Sequence, residues 1–370
     1  MVLNKLDLNN FRLFKKLQIE FDQGVNLITG MNGCGKTSIL ESIYYLAITK
    51  SFRASQDNNA INYNSDFFDI SGLINTDAQQ NKTTRVYFSA KEGKHLFLDN
   101  QEINKYSDYI GFIPCVLLQP EDMKLTLGAP ADRRKFMDIL LSQVSPVYLD
   151  DLKTYRRVLL QRNALFSSED KNQITEQIDV WNKQLIESGA AIIEKRLHLV
   201  SFMNQNLQSY YNNFSNQEDL IHSSYISTVA GEHTQLSLKE IKDLFQKKLS
   251  TLFKYEIEKQ ATAIGPHRDD LNFYKNNRFF KEFGSQGENK SLIIALKILE
   301  WDYLSQQRTT QPLLLFDDIF GELDSSRMTG LMRFLKDIGQ AFITTTLEDK
   351  FSKQVMNKEI KLERSITAYA

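Results

Sequence analysis

The residues most capable of chemistry form a glycine-rich segment near the N-terminus, GMNGCGKT, which runs from Gly30 to Thr37. It matches the phosphate-loop pattern, in which glycines let backbone N–H groups surround phosphate oxygens. The segment from Val25 to Thr29 is typical of a strand and precedes the loop, and residues 36–47 carry an apolar stripe at helical spacing. A strand and a helix should therefore flank the loop, and the positive end of the helix dipole favours phosphate. The pattern predicts a site for a nucleoside triphosphate with Mg²⁺.

Each residue of the loop has an expected role. The Lys36 ammonium should contact the β- and γ-phosphates, and the Thr37 hydroxyl should bind Mg²⁺. The remaining residues that we expect to bind the nucleotide are Gly30, Met31, Asn32, Gly33, Cys34, Gly35 and Ser38. A glycine loop without a ligand is a weak alternative, because strand, loop and helix signals all agree.

An apolar run that ends in two aspartates supplies the acidic partner that a phosphate loop needs. Leu313 to Phe316 is typical of a buried parallel strand, which places Asp317 and Asp318 at its carboxyl end. We expect Asp317 to hold Mg²⁺, together with Thr37, and Asp318 to orient or deprotonate the attacking water. Lys36 and Asp318 are therefore the predicted catalytic residues.

The elements that must position these motifs change in character along the chain. The first 120 residues alternate as strands do, the middle has helical spacing, and the end is mixed α/β. Two α/β ends that fold together around an insertion would explain why most of the chain separates the two motifs. We predict head segments at 1–125 and 256–370 and a helical lobe at 126–255, with a loop at 212–224.

Composition limits the classes of function. The chain has 370 residues, 42% of them hydrophobic and 25% charged, so a packed core is possible. No apolar run approaches the roughly 20 residues of a membrane span. The two cysteines indicate no disulfide framework. We therefore expect a cytoplasmic protein with no membrane partner.

A local basic face is the predicted place for nucleic acid. The net charge is −1, which excludes a uniformly basic coat protein. Residues 133–162 nevertheless contain seven basic and three acidic side chains. Lys153, Arg156 and Arg157 are spaced to share one helical face. Contact with DNA phosphates and an ordinary solvated face both remain open.

Further segments carry a family resemblance. Gly284 to Glu288, GSQGE, resembles the signature loop of ABC-type ATPases, and Glu322-Leu323-Asp324 resembles their dimer-contact loop. Six more segments occur in the expected order, namely NFR at 10–12, SFR at 51–53, QPEDM at 119–123, DRRKF at 132–136, QRNAL at 161–165 and GPHRDDL at 265–271. Over nearly the whole chain, this set resembles the RecF family of bacterial repair ATPases, which is related to the heads of SMC proteins.

The resemblance implies a fold and a function. The fold would be an α/β ABC-type ATPase head, a mixed sheet with an N-terminal antiparallel part and a phosphate-loop core, carrying an inserted helical lobe. Proteins of this family bind ATP and DNA, dimerise with ATP and hydrolyse it weakly with stimulation by DNA. They act with RecO and RecR to help load RecA at single-stranded gaps. Ser285 and Gly287 would contact the γ-phosphate held by the opposite protomer.

Some positions depart from the expected patterns. Glu288 and Asn289 stand where the family usually has glutamines, and an acidic Glu288 would repel phosphate unless it points away. Asp318 stands where many ABC ATPases have glutamate, which predicts slow turnover because the carboxylate is one methylene shorter. No histidine occurs at 344–346, where transporter ATPases carry a switch histidine.

The roles of four residues remain open at this stage. His267 is either a structural histidine or a metal ligand. Gln119 is either a sensor of Mg²⁺ and γ-phosphate or unrelated to the site. Arg12 and Arg53 either reach phosphates or form solvated salt bridges.

Three other functions are weighed against an ATP-switched DNA-binding protein. The motor subunit of a membrane transporter usually carries the switch histidine that is missing at 344–346. The GPHRDD and DRRKF segments are also not typical of such a subunit. A structural SMC-like clamp needs a far longer coiled coil, although such a clamp without a loading role is the nearest alternative. An ATP-dependent nuclease needs a separate acidic metal cluster, which the sequence does not indicate.

Overall fold

A computed structural model describes residues 1–167, 171–215, 219–231, 235–308, 310–336, 338–346 and 356–362. The strands are β1 (Val2–Phe11), β2 (Phe14–Glu20), β3 (Gly24–Gly30), β4 (Phe67–Asn75), β5 (Asn81–Ser89), β6 (Gly93–Leu98), β7 (Gln101–Glu102), β8 (Cys115–Leu118), β9 (Ile221–Ile226), β10 (Asp270–Lys275), β11 (Arg278–Phe279), β12 (Leu313–Asp317), β13 (Gln340–Thr345) and β14 (Lys358–Leu362). The helices are α1 (Lys36–Ile48), α2 (Tyr106–Tyr109), α3 (Lys124–Leu127), α4 (Pro130–Val144), α5 (Pro146–Phe166), α6 (Lys171–Asn212), α7 (Leu238–Lys259), α8 (Phe280–Phe283), α9 (Gln286–Arg308) and α10 (Ser325–Leu335).

These elements group into two compact units. The head unit contains Met1–Asp122, Asn213–Ser215 and the described chain from Lys290 onward. The insert unit contains the described parts of 123–212 and 216–289. The division differs from the predicted boundaries, because 256–289 groups with the insert unit and not with the head.

Strand pairing explains why the insert unit extends beyond the predicted helical lobe. Strand β10 pairs antiparallel with β9, in a small sheet of order β11-β10-β9. The guanidinium of Arg133 in α4 also binds the Asp270 carboxylate at 2.7 Å. The lobe is therefore not purely helical.

The predicted loop at 212–224 is wrong over its last residues. Strand β9 begins at Ile221, and its residues alternate between buried and half-buried positions. His222 and Ser224 lack strong strand propensity, so pairing with β10 decides their conformation.

The head unit is built on two sheets. The antiparallel sheet has the order β2-β1-β4-β5-β6-β7 and contains β4, whose buried positions alternate as the sequence predicts. The parallel sheet has the order β14-β3-β13-β12-β8. Strands β3, β12 and β13 are buried almost throughout, as expected of parallel strands covered on both faces. Their carboxyl ends meet at one edge of this sheet.

Helix α1 occupies the interior of the head unit. Ile39, Leu40, Ile43 and Leu46 are buried, and the helix contacts strands of both sheets. It begins at Lys36, within the phosphate-loop motif, so the packing of this helix fixes the position of the loop.

The insert unit has long helices around an interior that includes polar groups. Helix α6 packs against α5 and α7, and the guanidinium groups of Arg162 and Arg196 are buried among them. Of the helices that the structure describes, none combines the length and apolar character that a membrane span requires.

Candidate nucleotide site

The phosphate loop joins β3 to α1 through backbone conformations that need glycine. Gly30 has φ 143° and Gly35, which precedes α1, has φ 104°. A Cβ added to Gly30 would lie 2.6 Å from the Leu362 carbonyl oxygen, and one added to Gly35 would lie 2.5 Å from Phe14 Cζ. Side chains at either position would therefore distort the loop.

The side chains of the loop divide between an exposed tip and a buried base. Met31, Asn32 and Gly33 are exposed, whereas Cys34 and Ser38 are buried. The buried Lys36 ammonium donates to the carbonyl oxygens of Gly30 at 2.8 Å and Met31 at 3.0 Å. Lys36 is thus held across the inside of the loop, where phosphate would bind.

A hydrogen-bond network joins the loop to the predicted acidic strand. The Thr37 hydroxyl donates to Asp317 Oδ1 at 2.9 Å. The hydroxyl of Thr344, on the neighbouring strand β13, donates to the same oxygen at 2.8 Å. Thr344 also accepts the backbone N–H of Asp318 at 3.0 Å, and Asp318 has a left-handed backbone with φ 51°. One buried hydroxyl therefore orients both aspartates.

The Asp317 carboxylate is buried and lies within hydrogen-bond distance of the Thr37 hydroxyl. Burial raises the pKa of Asp317, and hydrogen bonds from Thr344 and Thr37 and the charge of Arg53 oppose that rise. The oxygen pair of Thr37 and Asp317 fits Mg²⁺, a hard cation that usually keeps water and phosphate as its other ligands. No group of three or more His, Cys, Asp or Glu side chains within the described ranges is placed to hold a metal ion. A cation here would therefore depend on phosphate and water as well.

Gln119 lies at the same edge of the parallel sheet. It follows β8, whose Leu118 is in register with Phe316 of β12. Its backbone N–H donates to Asp122 Oδ2 at 2.9 Å. Gln119 is therefore next to the strand end that carries Asp317.

Behind Gln119, Asp122 belongs to a buried charged cluster. The Lys297 ammonium lies 3.3 Å from Asp122 and 3.1 Å from Glu300. Burial raises the pKa of both carboxyl groups, and the Lys297 charge opposes that rise. The cluster links helix α9 to the segment that carries Gln119.

Arg12 and Arg53 both approach Glu41, a fully buried residue of α1 that sequence reasoning missed. The Arg12 guanidinium forms two hydrogen bonds with the Glu41 carboxylate, at 2.9 and 2.6 Å. The Ser51 hydroxyl also donates to Glu41, and Arg53 Nη1 lies 3.8 Å from it. Arg12 is therefore committed to a structural ion pair, whereas Arg53 remains 48% exposed. An acidic residue within the apolar stripe of α1 was the available clue.

The signature segment lies in the insert unit and forms a capping box at the start of α9. The Ser285 hydroxyl accepts the Glu288 N–H at 3.3 Å, and Glu288 accepts the Ser285 N–H at 2.9 Å. Ser285 is exposed and Gly287 half-buried. A hydroxyl that accepts one hydrogen bond still has its own hydrogen to donate, so Ser285 can also contact a phosphate.

The Glu288 carboxylate, which would repel phosphate unless it points away, is paired with a lysine. Its carboxylate binds the Lys275 ammonium at 2.6 Å. Burial tends to raise the pKa of Glu288, but the hydrogen bonds from Lys275 and Ser285 hold it below its usual value. The charge is therefore compensated within the insert unit.

The predicted dimer-contact loop is anchored at its last residue. The Asp324 side chain accepts the backbone N–H of Arg327 at 2.9 Å and caps helix α10. The side chain of Glu322 lies outside the described part of the chain.

The comparisons with known proteins agree on one family. Residues 2–367 match the family model described as RecF/RecN/SMC N terminal domain. The DNA replication and repair protein RecF of Chloroherpeton thalassium is 36% identical over 356 residues, which cover 95% of this chain and 97% of that protein. The protein of the same name from Streptococcus thermophilus is 36% identical over 369 residues, which cover 100% of this chain and 99% of that one. The chain belongs to the RecF family.

Solved structures agree with this assignment. The recombination mediator protein RecF-ATPrS of the RecFOR pathway matches with a TM-score of 0.88 and 25% identity, over 98% of this chain and 96% of that one. An Smc head bound to the C-winged helix domain of ScpA matches with a TM-score of 0.52 and 15% identity, over 93% of this chain and 89% of that one. The second likeness concerns the fold alone. The predicted α/β head of ABC type is therefore confirmed as a RecF and SMC head fold.

His267, in the GPHRDD segment, has its hydrogen-bond partners within the insert unit. Its Nε2–H donates to the Thr262 carbonyl oxygen at 3.2 Å, so Nδ1 accepts the Tyr155 hydroxyl at 2.6 Å. Burial lowers the pKa of His267 to about 4. Asp269 is bound by Tyr225 at 2.5 Å. These partners favour the structural role over a metal site.

The basic segment at 133–162 divides into internal and surface residues. Arg133 is buried against Asp270, and Arg162 is buried against Glu256 at 2.6 Å. Lys135, Lys153, Arg156 and Arg157 are exposed. The four exposed cations and the half-buried Arg134 can meet DNA, so the predicted basic stripe is narrower than the sequence suggests.

Proposed function

We propose that this RecF-family chain is an ATP-switched, DNA-binding ATPase of recombinational repair and replication. ATP with Mg²⁺ would join two copies into a dimer that holds DNA, and hydrolysis would release it. In this proposal the chain acts in the cytoplasm with RecO and RecR to promote RecA loading at single-strand gaps. The proposal includes binding to DNA that is gapped, single-stranded or double-stranded.

The observation that carries the proposal is the network of Thr37, Asp317 and Thr344 beside Lys36. It brings the Lys36 ammonium and two oxygen groups of the kind that Mg²⁺ prefers to one edge of the parallel sheet. ATP would replace the carbonyl partners of Lys36 with β- and γ-phosphate oxygens. Bound Mg²⁺ would neutralise phosphate charge, while the protein supplies the orientation of the phosphates.

Slow hydrolysis is supported by the residues around Asp318. The Thr344 hydroxyl is used by Asp317 and by the backbone of Asp318. No histidine occurs at this strand end to contact the γ-phosphate. Asp318 would therefore act on water with little help from neighbouring groups, which favours a long-lived ATP state.

Dimerisation is supported by the exposure of the signature segment. Ser285 and Gln286 are exposed at the first turn of α9, where the helix dipole favours an anion. Binding of the partner's γ-phosphate there would make the nucleotide part of the interface. An SMC-like clamp that grips DNA without a loading role is the second candidate, favoured by the likeness to an Smc head.

The test combines DNA binding and dimerisation. We would measure fluorescence anisotropy of labelled gapped duplex with Mg²⁺ and ATP, with ADP, and with Lys36→Met in ATP, each at two salt concentrations. Light scattering on the same samples would give the molar mass of the protein and so show whether it is a monomer or a dimer. We expect tight binding and a dimer only for the wild type with ATP, and weaker binding at higher salt.

A matched control separates the nucleotide site from general charge loss. Lys91→Met removes an exposed lysine in the turn between β5 and β6 and should behave as the wild type. Equal DNA binding in all nucleotide states would refute the switch. We would also measure RecA filament growth on gapped DNA in the presence of this chain, RecO and RecR. Restored filament growth indicates loading, whereas DNA binding without filament growth indicates a clamp.

A further inference from the structure

A basic cleft lies in the insert unit, between the start of α4, helix α5 and the GPHRDD segment. Its volume is about 270 Å³, and Arg134, Lys135, Asp138, Tyr155, Arg156 and Arg196 are among its lining residues. This volume is near the lower end for small-molecule pockets, which suits a phosphate with its sugar better than a whole drug-sized ligand.

The floor of the cleft is a rigid network. Arg196 is buried and donates to Asp138 Oδ1 at 2.7 Å and to the Pro266 carbonyl oxygen at 2.8 Å. The Tyr148 hydroxyl donates to the same Asp138 oxygen at 2.7 Å. Because these groups satisfy one another, the floor can hold a ligand without rearrangement.

The charge of the cleft is strongly positive. Asp138 is the acidic residue among those lining it, and its two oxygens are shared by Arg196 at 2.7 Å and Arg156 at 3.3 Å. Arg134 donates to the backbone oxygen of Asp269 at 2.8 Å, which supplies no full negative charge. Burial and the charge of Arg196 lower the pKa of Arg134, although the charges of Asp270, Asp269 and Asp138 oppose that fall. An anion in the cleft would reduce the repulsion between the two guanidinium groups.

The cations at the rim are accessible. Lys135 is exposed, and the Arg156 side chain is 63% exposed. Both can swing toward a ligand, while the floor holds Arg196 in place. A planar guanidinium matches the oxygens of a phosphate particularly well.

We infer that the basic cleft binds a backbone phosphate of DNA, with Arg134, Lys135 and Arg156 as the contacting cations. The inference deepens the proposed function and rests on it, because DNA binding supplies the ligand. It assigns a specific contact point to the insert unit, where the sequence alone indicates only a basic segment.

The test uses the full chain and single substitutions at the rim. Arg156→Ala should weaken binding of labelled gapped duplex about five- to tenfold and reduce the slope of log K against log salt by about 1. Arg134→Ala should have a similar effect. Arg156→Lys, which keeps the charge, should recover part of the affinity.

Arg157→Ala is the matched control, because Arg157 is exposed on the same helix α5 but does not line the cleft. We expect its affinity and salt slope to stay near those of the wild type. Equal losses for Arg156→Ala and Arg157→Ala would refute a discrete site, as would no loss for either.

Two further measurements separate the possible failures. If the wild type binds no DNA in any nucleotide state, the proposed function itself fails. Inorganic phosphate serves as a small-anion probe in thermal unfolding. A rise in Tm with phosphate that depends on Arg156, without any Arg156 effect on DNA affinity, would overturn the choice of DNA as the ligand.

Discussion

Replacement of Thr344 by valine tests whether one buried hydroxyl sets the Mg²⁺ affinity of the nucleotide site. Thr344 is fully buried, and its hydroxyl donates to Asp317 Oδ1 at 2.8 Å and accepts the Asp318 N–H at 3.0 Å. Valine has nearly the same shape, so the substitution removes these bonds and leaves little cavity. Asp317 would keep the hydrogen bond from Thr37.

The magnitude follows from the charge of the acceptor. A hydrogen bond to a charged group contributes about 1.5–3 kcal/mol, which corresponds to about 10- to 150-fold in an equilibrium constant. Loss of a group that orients a metal ligand typically lowers metal affinity about 10- to 100-fold. We therefore expect Thr344→Val to need about 10- to 100-fold more Mg²⁺ for half-maximal ATP turnover.

The assay is ATP turnover at fixed ATP over a Mg²⁺ titration, with urea unfolding of each variant as a check on folding. Thr344→Ser is the control, because it keeps the hydroxyl and loses one buried methyl, at about 1 kcal/mol of stability. Its Mg²⁺ dependence should match the wild type. If folded Thr344→Val also shows the wild-type Mg²⁺ dependence, the hydroxyl does not orient Asp317 and our reasoning is wrong.

Two predictions concern the stability of the insert unit. Glu256→Ala should lower the free energy of unfolding in urea by about 3–5 kcal/mol, because it leaves the fully buried Arg162 guanidinium without its 2.6 Å partner. The control is Glu258→Ala, which changes an exposed residue of the same helix and should alter that free energy by less than about 0.5 kcal/mol. The lowered pKa of His267, about 4, means that the unfolded chain binds more protons than the folded one between about pH 4 and 6.5, so stability falls as the pH falls through that window. Between pH 7 and pH 5, the free energy of unfolding measured in urea should fall by about 2 kcal/mol more for the wild type than for His267→Gln. His198→Gln, at an exposed histidine, should follow the wild type. Equal losses in all three proteins would contradict a lowered pKa for His267.

The sequence by itself determined the phosphate loop, the acidic strand and their order in an α/β head. These features depend on local rules. Glycines permit the left-handed conformations at Gly30 and Gly35, and a short apolar run before Asp317 specifies a buried strand. The helix after the loop was likewise readable from its apolar spacing, to within one residue of Ile48.

Only the tertiary structure decided which polar groups meet. Asp317 and Thr344 are neighbours because β12 and β13 pair in parallel register, and no local pattern encodes that pairing. The Glu41 partner of Arg12 and the extent of the insert unit also depend on contacts between residues distant in sequence. Such contacts form where burial forces polar groups to satisfy one another, so they depend on the whole packed chain and not on any single segment.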